Sequence, residues 1–239
     1  MVALLRHPVR GWILFDTGYG QDFFDATRRL PERAYRWITP VSWTPRQSAI
    51  ARIHALGIDP ADINSILISH FHGDHVGALG DFTQAEPWCA HAAWADLHAR
   101  SRLSALAHGL LPALAPQSLQ NRLRFYEDQT TVRLPPALAP FATGFDMFKD
   151  GSILAVPLPG HAPGHFGACF HDGRQWIFLV ADAAWSIRAI ADNAPPPRWA
   201  TSFLGETQTY RRTLADLHAL AARDNGVSLM PAHCRSLRS

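Results

Sequence analysis

Apolar residues fall along this chain in short runs that stop at glycine or proline, the pattern of buried strands separated by turns. WILFD at 12–16 ends in Thr17-Gly18-Tyr19-Gly20 and is predicted to be such a strand, with ALLR at 3–6 as its hairpin partner across His7-Pro8. Thr44-Pro45 opens a predicted helix with Ile50, Ile53 and Leu56 on one face and Gly57 at its end. SILIS at 65–69 is a second buried strand and runs directly into a polar cluster. Further on, SILAVPL (152–158), FGACF (166–170) and QWIFLVA (175–181) predict another strand and a hairpin turning at His171-Asp172-Gly173-Arg174. Tyr210, Leu214, Leu217 and Leu220 give 206–223 a helical face, and VSLM (227–230) is a last strand before Pro231-Ala232-His233. Residues 86–150 read differently: helical stretches around 91–110 and 116–123 are interrupted by Pro112, Pro116, Pro135, Pro136 and Pro140. We read this segment as a cap or lid inserted into a single domain spanning 1–239. Strands and helices are mixed along the chain, so an α/β layered sandwich is expected over an all-helical or all-β fold.

Composition narrows the classes. A chain of 239 residues, 47% hydrophobic and 18% charged, supports one substantial core or at most two small ones. The net charge is +2, and Lys149 is the single lysine, so no basic run exists to follow a phosphate backbone and nucleic acid is not expected as a partner. Cys89, Cys169 and Cys234 are far apart and form no CxxC pair, which suggests neither a disulfide framework nor a zinc ribbon and fits a reducing cytoplasm. No window approaches the roughly 20 apolar residues of a membrane span, and the start shows no secretory cleavage site.

The chemistry lies in the histidines, of which there are 13. His70, His72, Asp74 and His75 make an HxHxDH cluster just past the second strand. In an extended segment side chains two apart face the same way, so His70 and His72 can converge on one ion while the following turn redirects Asp74 and His75. Neutral imidazoles and a carboxylate, with no thiolate among them, suit zinc, iron or manganese. A lone histidine such as His54 or His218 is expected to be an ordinary core or surface residue.

Other motifs accompany the cluster in order: FDTG at 15–18, PLPGHAPGH at 157–165, VADAAW at 180–185 and MPAHC at 230–234. Together they resemble the metallo-beta-lactamase superfamily of metal-dependent hydrolases, over residues 12–234. The resemblance implies an αββα four-layer sandwich with a helical cap insertion. It also implies two divalent metal ions, zinc by default with iron or manganese as alternatives. His70, His72 and His161 would hold one ion, Asp74, His75 and His233 the other, and Asp182 would bridge them. A hydroxide shared by the two ions would then attack the substrate carbonyl or phosphoryl group, with Asp74 and Asp182 as catalytic carboxylates. His165 is expected beside the ligands rather than among them, orienting one by a hydrogen bond.

Within the superfamily the bridging Asp182 sets the chain apart from the true β-lactamases. Only six residues follow His233, short of the C-terminal helical portion of glyoxalase II-like thioesterases, and neither length nor charge matches the nucleases. The N-acyl-homoserine lactonase-like group resembles it most, with one departure: many lactonases have a tyrosine three residues after the bridging aspartate, whereas this chain has Trp185 in the substrate pocket. The expected function is hydrolysis of a lactone, ester or thioester of a small, partly apolar metabolite. Phosphotriester hydrolysis and a ligand-binding or regulatory role on the same scaffold are the alternatives. Apolar residues of the cap, among them Trp88, Trp94, Leu106, Leu110 and Leu111, are mostly core with some free to line a pocket. Arg188 and Arg198 are candidates for an anionic substrate group. No membrane partner is expected, and a homodimer is compatible with the sequence.

Overall fold

The structure, a computed structural model, describes residues 2–197, 205–223 and 226–234. The chain divides into two compact units, Val2–Arg124 and Phe125–Ser239.

The first unit is built on a sheet of order β1-β2-β3-β4-β5, formed by β1 (Ala3–His7), β2 (Gly11–Phe15), β3 (Ile63–Leu67), β4 (Glu86–Cys89) and β5 (Arg124–Phe125). The expected hairpin is present, with β1 antiparallel to β2 from Ala3↔Phe15 to His7↔Gly11. His7 holds its turn, since Nδ1 accepts from the Val9 and Arg10 amides at 3.1 and 2.9 Å. From β2 the chain crosses over to β3 through helices α1 (Gln21–Ala26), α2 (Arg33–Ile38) and α3 (Ala49–Ala55), and β3 pairs in parallel with both β2 and β4. The helix expected from Thr44 starts later. Thr44 donates its amide to Gln47 Oε1 across a single 3-10 turn, and Ser48, extended at φ −62° and ψ 153°, interrupts it. Ser48 then caps α3 by accepting the Ala51 amide at 3.2 Å. After β3 comes the one-turn α4 (Gly73–Val76), and after β4 come α5 (His91–Ala99) and α6 (Arg102–Ala107).

The second unit carries a sheet of order β11-β10-β9-β8-β7-β6. Its strands are β6 (Thr130–Arg133), β7 (Thr143–Asp146), β8 (Leu154–Pro157), β9 (Phe166–His171), β10 (Trp176–Ala181) and β11 (Val227–Pro231). Every neighbouring pair is antiparallel except β10 and β11, which run parallel. A parallel pair needs a crossover, supplied here by α7 (Ile187–Ala191) and α8 (Thr207–Ala221). Tyr210, Leu214, Leu217 and Leu220 of α8 pack with Val156, Leu158, Phe178, Val180 and Leu229 of the sheet in one buried cluster, the face that the sequence periodicity marked.

The stretch 86–150 differs from the expected cap. Its helices do form, between 91 and 107, and Gln117–Arg122 make a 3-10 turn. It also holds four strands: β4 and β5 belong to the first unit's sheet, β6 and β7 to the second's. These four strands have two to four residues each, and TTVR and TGFD mix polar with apolar positions. Runs that short carry too little periodicity to be read before their partners are known. No helix among the described residues is long and apolar enough to cross a membrane.

Because Leu214 is fully buried in the α8–sheet cluster, Leu214→Ala is expected to lower stability by about 2–5 kcal/mol through lost burial and a residual cavity. Urea unfolding followed by circular dichroism checks it; a change below about 1 kcal/mol would contradict this packing.

Candidate metal centre

In the first unit the chemistry starts at two neighbouring strand ends. β2 and β3 are parallel, so Asp16 and Ser69, just past their C-terminal ends, lie side by side. Asp16 is completely buried and in the left-handed region at φ 59°, a conformation aspartate tolerates better than most residues. Its carboxylate accepts the Ser69 amide at 2.8 Å, the Ser69 hydroxyl at 2.8 Å and His75 Nδ1 at 2.7 Å. The pattern assigns the tautomers. Ser69 spends its proton on Asp16 and therefore accepts from His70 Nδ1 at 3.0 Å. His75 likewise donates Nδ1–H to Asp16. Each ring keeps Nε2 as its lone-pair nitrogen, the form a metal ligand needs.

His72 is the N-cap of α4, with its backbone extended at φ −68° and ψ 152°. His70 Nε2 and His72 Nδ1 are 2.9 Å apart, and both rings are buried. The one-turn helix then brings Asp74 back toward the cluster, its carboxylate 3.5 Å from His75 Nε2. All four residues of HxHxDH are thus gathered at one place by a strand end and a single helical turn.

The second unit presents three further donors. His161 lies in the loop after β8, Asp182 directly after β10 and His233 after β11. Asp182 Oδ2 is 3.4 Å from His161 Nε2 and 3.2 Å from His233 Nε2. Two devices aim Asp182. The β10–β11 register shifts between Leu179 and Ala181, and Ala181 adopts φ 45°, which rotates the next side chain out of the strand's alternation. His165 then bonds at both nitrogens: Nδ1 donates to the Leu158 carbonyl at 3.0 Å, and Nε2 accepts the Asp182 amide at 3.2 Å. Its place is between two backbone groups, beside the donors.

The His161 loop is fixed from the other side by α8. Glu206 donates its amide to the Gly160 carbonyl at 2.9 Å, and the Thr213 hydroxyl donates to the Pro159 carbonyl at 2.6 Å. Gly160 has φ +119°, and a Cβ there would lie 2.2 Å from the Tyr210 amide nitrogen, so only glycine lets the helix approach this closely. The donor set is imidazoles and carboxylates, largely buried, and each donor has another 2.9 to 3.5 Å from it within its own unit. Such a set suits a divalent cation of the zinc, iron or manganese type and does not suit a thiolate-preferring one.

A family model described as the metallo-beta-lactamase superfamily matches residues 2–223. The chain belongs to the metallo-beta-lactamase superfamily. Among curated members it is 30% identical over 198 residues to the probable metallo-hydrolase Rv2300c of Mycobacterium tuberculosis, covering 76% of this chain. It spans only 57% of that protein's length. It is 29% identical over 234 residues to the N-acyl homoserine lactonase AttM of Azorhizobium caulinodans, covering 96% of this chain and 80% of the lactonase. Among solved structures, a mutant of B. thuringiensis AiiA with N-decanoyl-L-homoserine bound at its active site superposes with a TM-score of 0.69 at 16% identity, covering 99% of this chain and 82% of that one. The α/β metallo-beta-lactamase fold expected from the motifs is therefore the fold of this chain.

Two residues of this superfamily member escape sequence reasoning. Asp16 is visible there only as part of FDTG, a strand-and-turn motif, and not as the acceptor that orients His75. Tyr210 reads as one position of an apolar helix face, and nothing in its spacing marks it as a neighbour of the His161 loop. Trp185 is half-buried, three residues beyond Asp182, and Arg188 is exposed and paired with Asp192 at 3.2 Å. Arg198 lies outside the described residues. His218, expected to be structural, bonds the Ile190 carbonyl at 2.9 Å.

Asp16→Asn keeps size and tolerance of positive φ but removes the charge that orients His75. It is expected to weaken divalent-metal affinity by about 10–100-fold, the usual cost of losing such an orienting partner. Competition against a chromogenic chelator measures this; unchanged affinity would show that His75 needs no such partner.

Proposed function

We propose that this chain is a dinuclear metal-dependent hydrolase that opens a lactone, ester or thioester of a small, partly apolar metabolite, its two units acting as one hydrolase domain. The observation that carries the reading is the set of imidazole and carboxylate donors standing just past the C-terminal ends of β3, β8, β10 and β11, with two of the imidazoles held in the ligating tautomer. In this reading His70, His72 and His161 would hold one ion, Asp74, His75 and His233 would hold the second, and Asp182 would be shared between them. Zinc is the first choice for such donors in a redox-inert hydrolase, and iron or manganese accept the same set. Two ions there supply a Lewis acid for the substrate oxygen and a water that ionises near neutral pH. The chain's own residues do the rest. Asp182 sets the separation of its neighbours, His165 fixes the Asp182 backbone, and Asp74 takes up a proton and returns it to the leaving group.

A lactone with an acyl chain is the favoured substrate class. Support comes from the 29% identity to the Azorhizobium caulinodans lactonase over nearly the whole chain, and from a cavity. Its volume is about 500 Å³, and Leu106, Leu110, Leu111 and Pro112 line it together with the Glu32–Arg102 ion pair. Leu110 forms an isolated antiparallel bridge with His72, so this partly apolar space begins one backbone pair away from a proposed ligand. Trp185 offers a fixed indole N–H where many lactonases have a hydroxyl, a change of donor geometry. A cytoplasmic setting belongs to the same reading, on the widely spaced cysteines.

The test is pH-indicator hydrolysis by metal-replete protein of acyl-lactones of increasing chain length, with aryl esters, thioesters and a phosphotriester alongside. Selective lactone opening that rises with chain length is expected, and Asp182→Ala should lower it by about 1,000-fold or more. Wild-type rates in that variant would sink the dinuclear mechanism. Preference for the phosphotriester would move the substrate class, and negligible turnover of every compound despite bound metal would favour a binding protein.

A further inference from the structure

One buried polar group is not accounted for by this site. Tyr210, in the first turn of α8 on the side that faces the His161 loop, is 2% exposed, and its hydroxyl has no hydrogen-bond partner among the described residues. Unpaired buried hydroxyls are rare in folded proteins because water is given up with nothing gained, so each one calls for an explanation, and an ordered water is one that restores the lost hydrogen bond. Phenylalanine would fill the same core position without that cost.

The surroundings say what the partner is. The Tyr210 backbone is pressed against Gly160, the residue preceding His161, and its ring centroid is 6.5 Å from the His161 ring. Burial pushes the phenol's pKa well up, and the negative charge of Asp182 pushes it further, so the hydroxyl stays protonated and feels that carboxylate. Asp182 Oδ2 is directed at His161 and His233. The hydroxyl is a donor and the carboxylate an acceptor, and both side chains neighbour the His161 ring. A buried donor without a protein partner among the described residues, in the neighbourhood of a buried acceptor, is where an ordered water bridges.

We propose that Tyr210 is a positioning residue for the metal centre: its hydroxyl donates, through one buried water, to the Asp182 carboxylate and holds it in the orientation that receives metal. The inference rests on Asp182 being a ligand, as in the function proposed above. It explains why a polar residue stands in the otherwise apolar face made by Leu214, Leu217 and Leu220. It also couples α8 to both the His161 loop and Asp182, because the same residue touches the first with its backbone and reaches the second with its side chain.

The experiment compares wild-type and Tyr210→Phe protein, each stripped of metal and titrated with zinc by calorimetry, with thermal melts of the metal-free forms. The ring is retained and the hydroxyl has no protein partner to lose, so the metal-free variant is expected to melt within about 2 °C of wild type or above it. Its zinc affinity is expected to fall about 10–100-fold, with kcat for the best substrate falling and KM unchanged. Zinc should also perturb the near-ultraviolet tyrosine signal of wild type, and that part of the change should vanish in the variant. Zinc affinities within twofold of each other would overturn the inference while leaving the hydrolase reading intact. A metal-free variant much less stable than wild type would overturn it too, by showing that the hydroxyl serves the fold. Failure of the wild type itself to bind zinc, iron or manganese would instead remove the proposed metal centre and the inference with it.

Discussion

The buried carboxylate of Asp16 is the interaction on which the donor cluster of the first unit depends. A fully buried charge is tolerated only when hydrogen bonds replace its water, and here three donors do so: the Ser69 amide, the Ser69 hydroxyl and His75 Nδ1. Removing one partner of such a group costs about 3–5 kcal/mol, more than the roughly 1–3 kcal/mol of strain held in its left-handed backbone. The network therefore dictates the local conformation and the strain is its consequence. It joins the ends of β2 and β3, sets the tautomers of His70 and His75, and leaves the two rings ready for a cation.

The second unit solves the same problem with neutral groups. His165 spans the Leu158 carbonyl and the Asp182 amide, tying the end of β8 to the end of β10, and Gly160 lets α8 press on the loop between them. A histidine that donates at one nitrogen and accepts at the other can do this only while neutral, since a doubly protonated ring has no acceptor for the Asp182 amide. The position of Asp182 thus follows from strand register, one left-handed alanine and one imidazole. Helix α8 contributes twice, as the apolar cover of the sheet and as the support of the His161 loop.

Both units place their donors past strand C-terminal ends, where the ladder no longer consumes backbone groups and side chains are free to turn toward one another. The donors are held by strand ends, whereas the cavity beside Leu110 is walled by α6 and the segment after it. In the function proposed above, changes in that wall would alter which acyl group fits without disturbing the donors.

The sequence by itself determined the main strands, the long helix and the ordered donor motifs. Apolar runs, glycine stops and the contiguous HxHxDH are local features, and the one-turn helix that gathers that cluster needs only four residues. What tertiary structure decided involves distant pairs. Asp16 and His75 are 59 residues apart, so a carboxylate in a turn motif became the group that orients the His75 ring only once β2 and β3 were neighbours. Strands β4 to β7, too short to show a period, took their identity from their sheet partners, which is why a segment that reads as a cap proved to be partly sheet. Tyr210 is the sharpest case. Its helical spacing marked it correctly as core, but that its hydroxyl is buried without a partner among the described residues shows only in the packed structure.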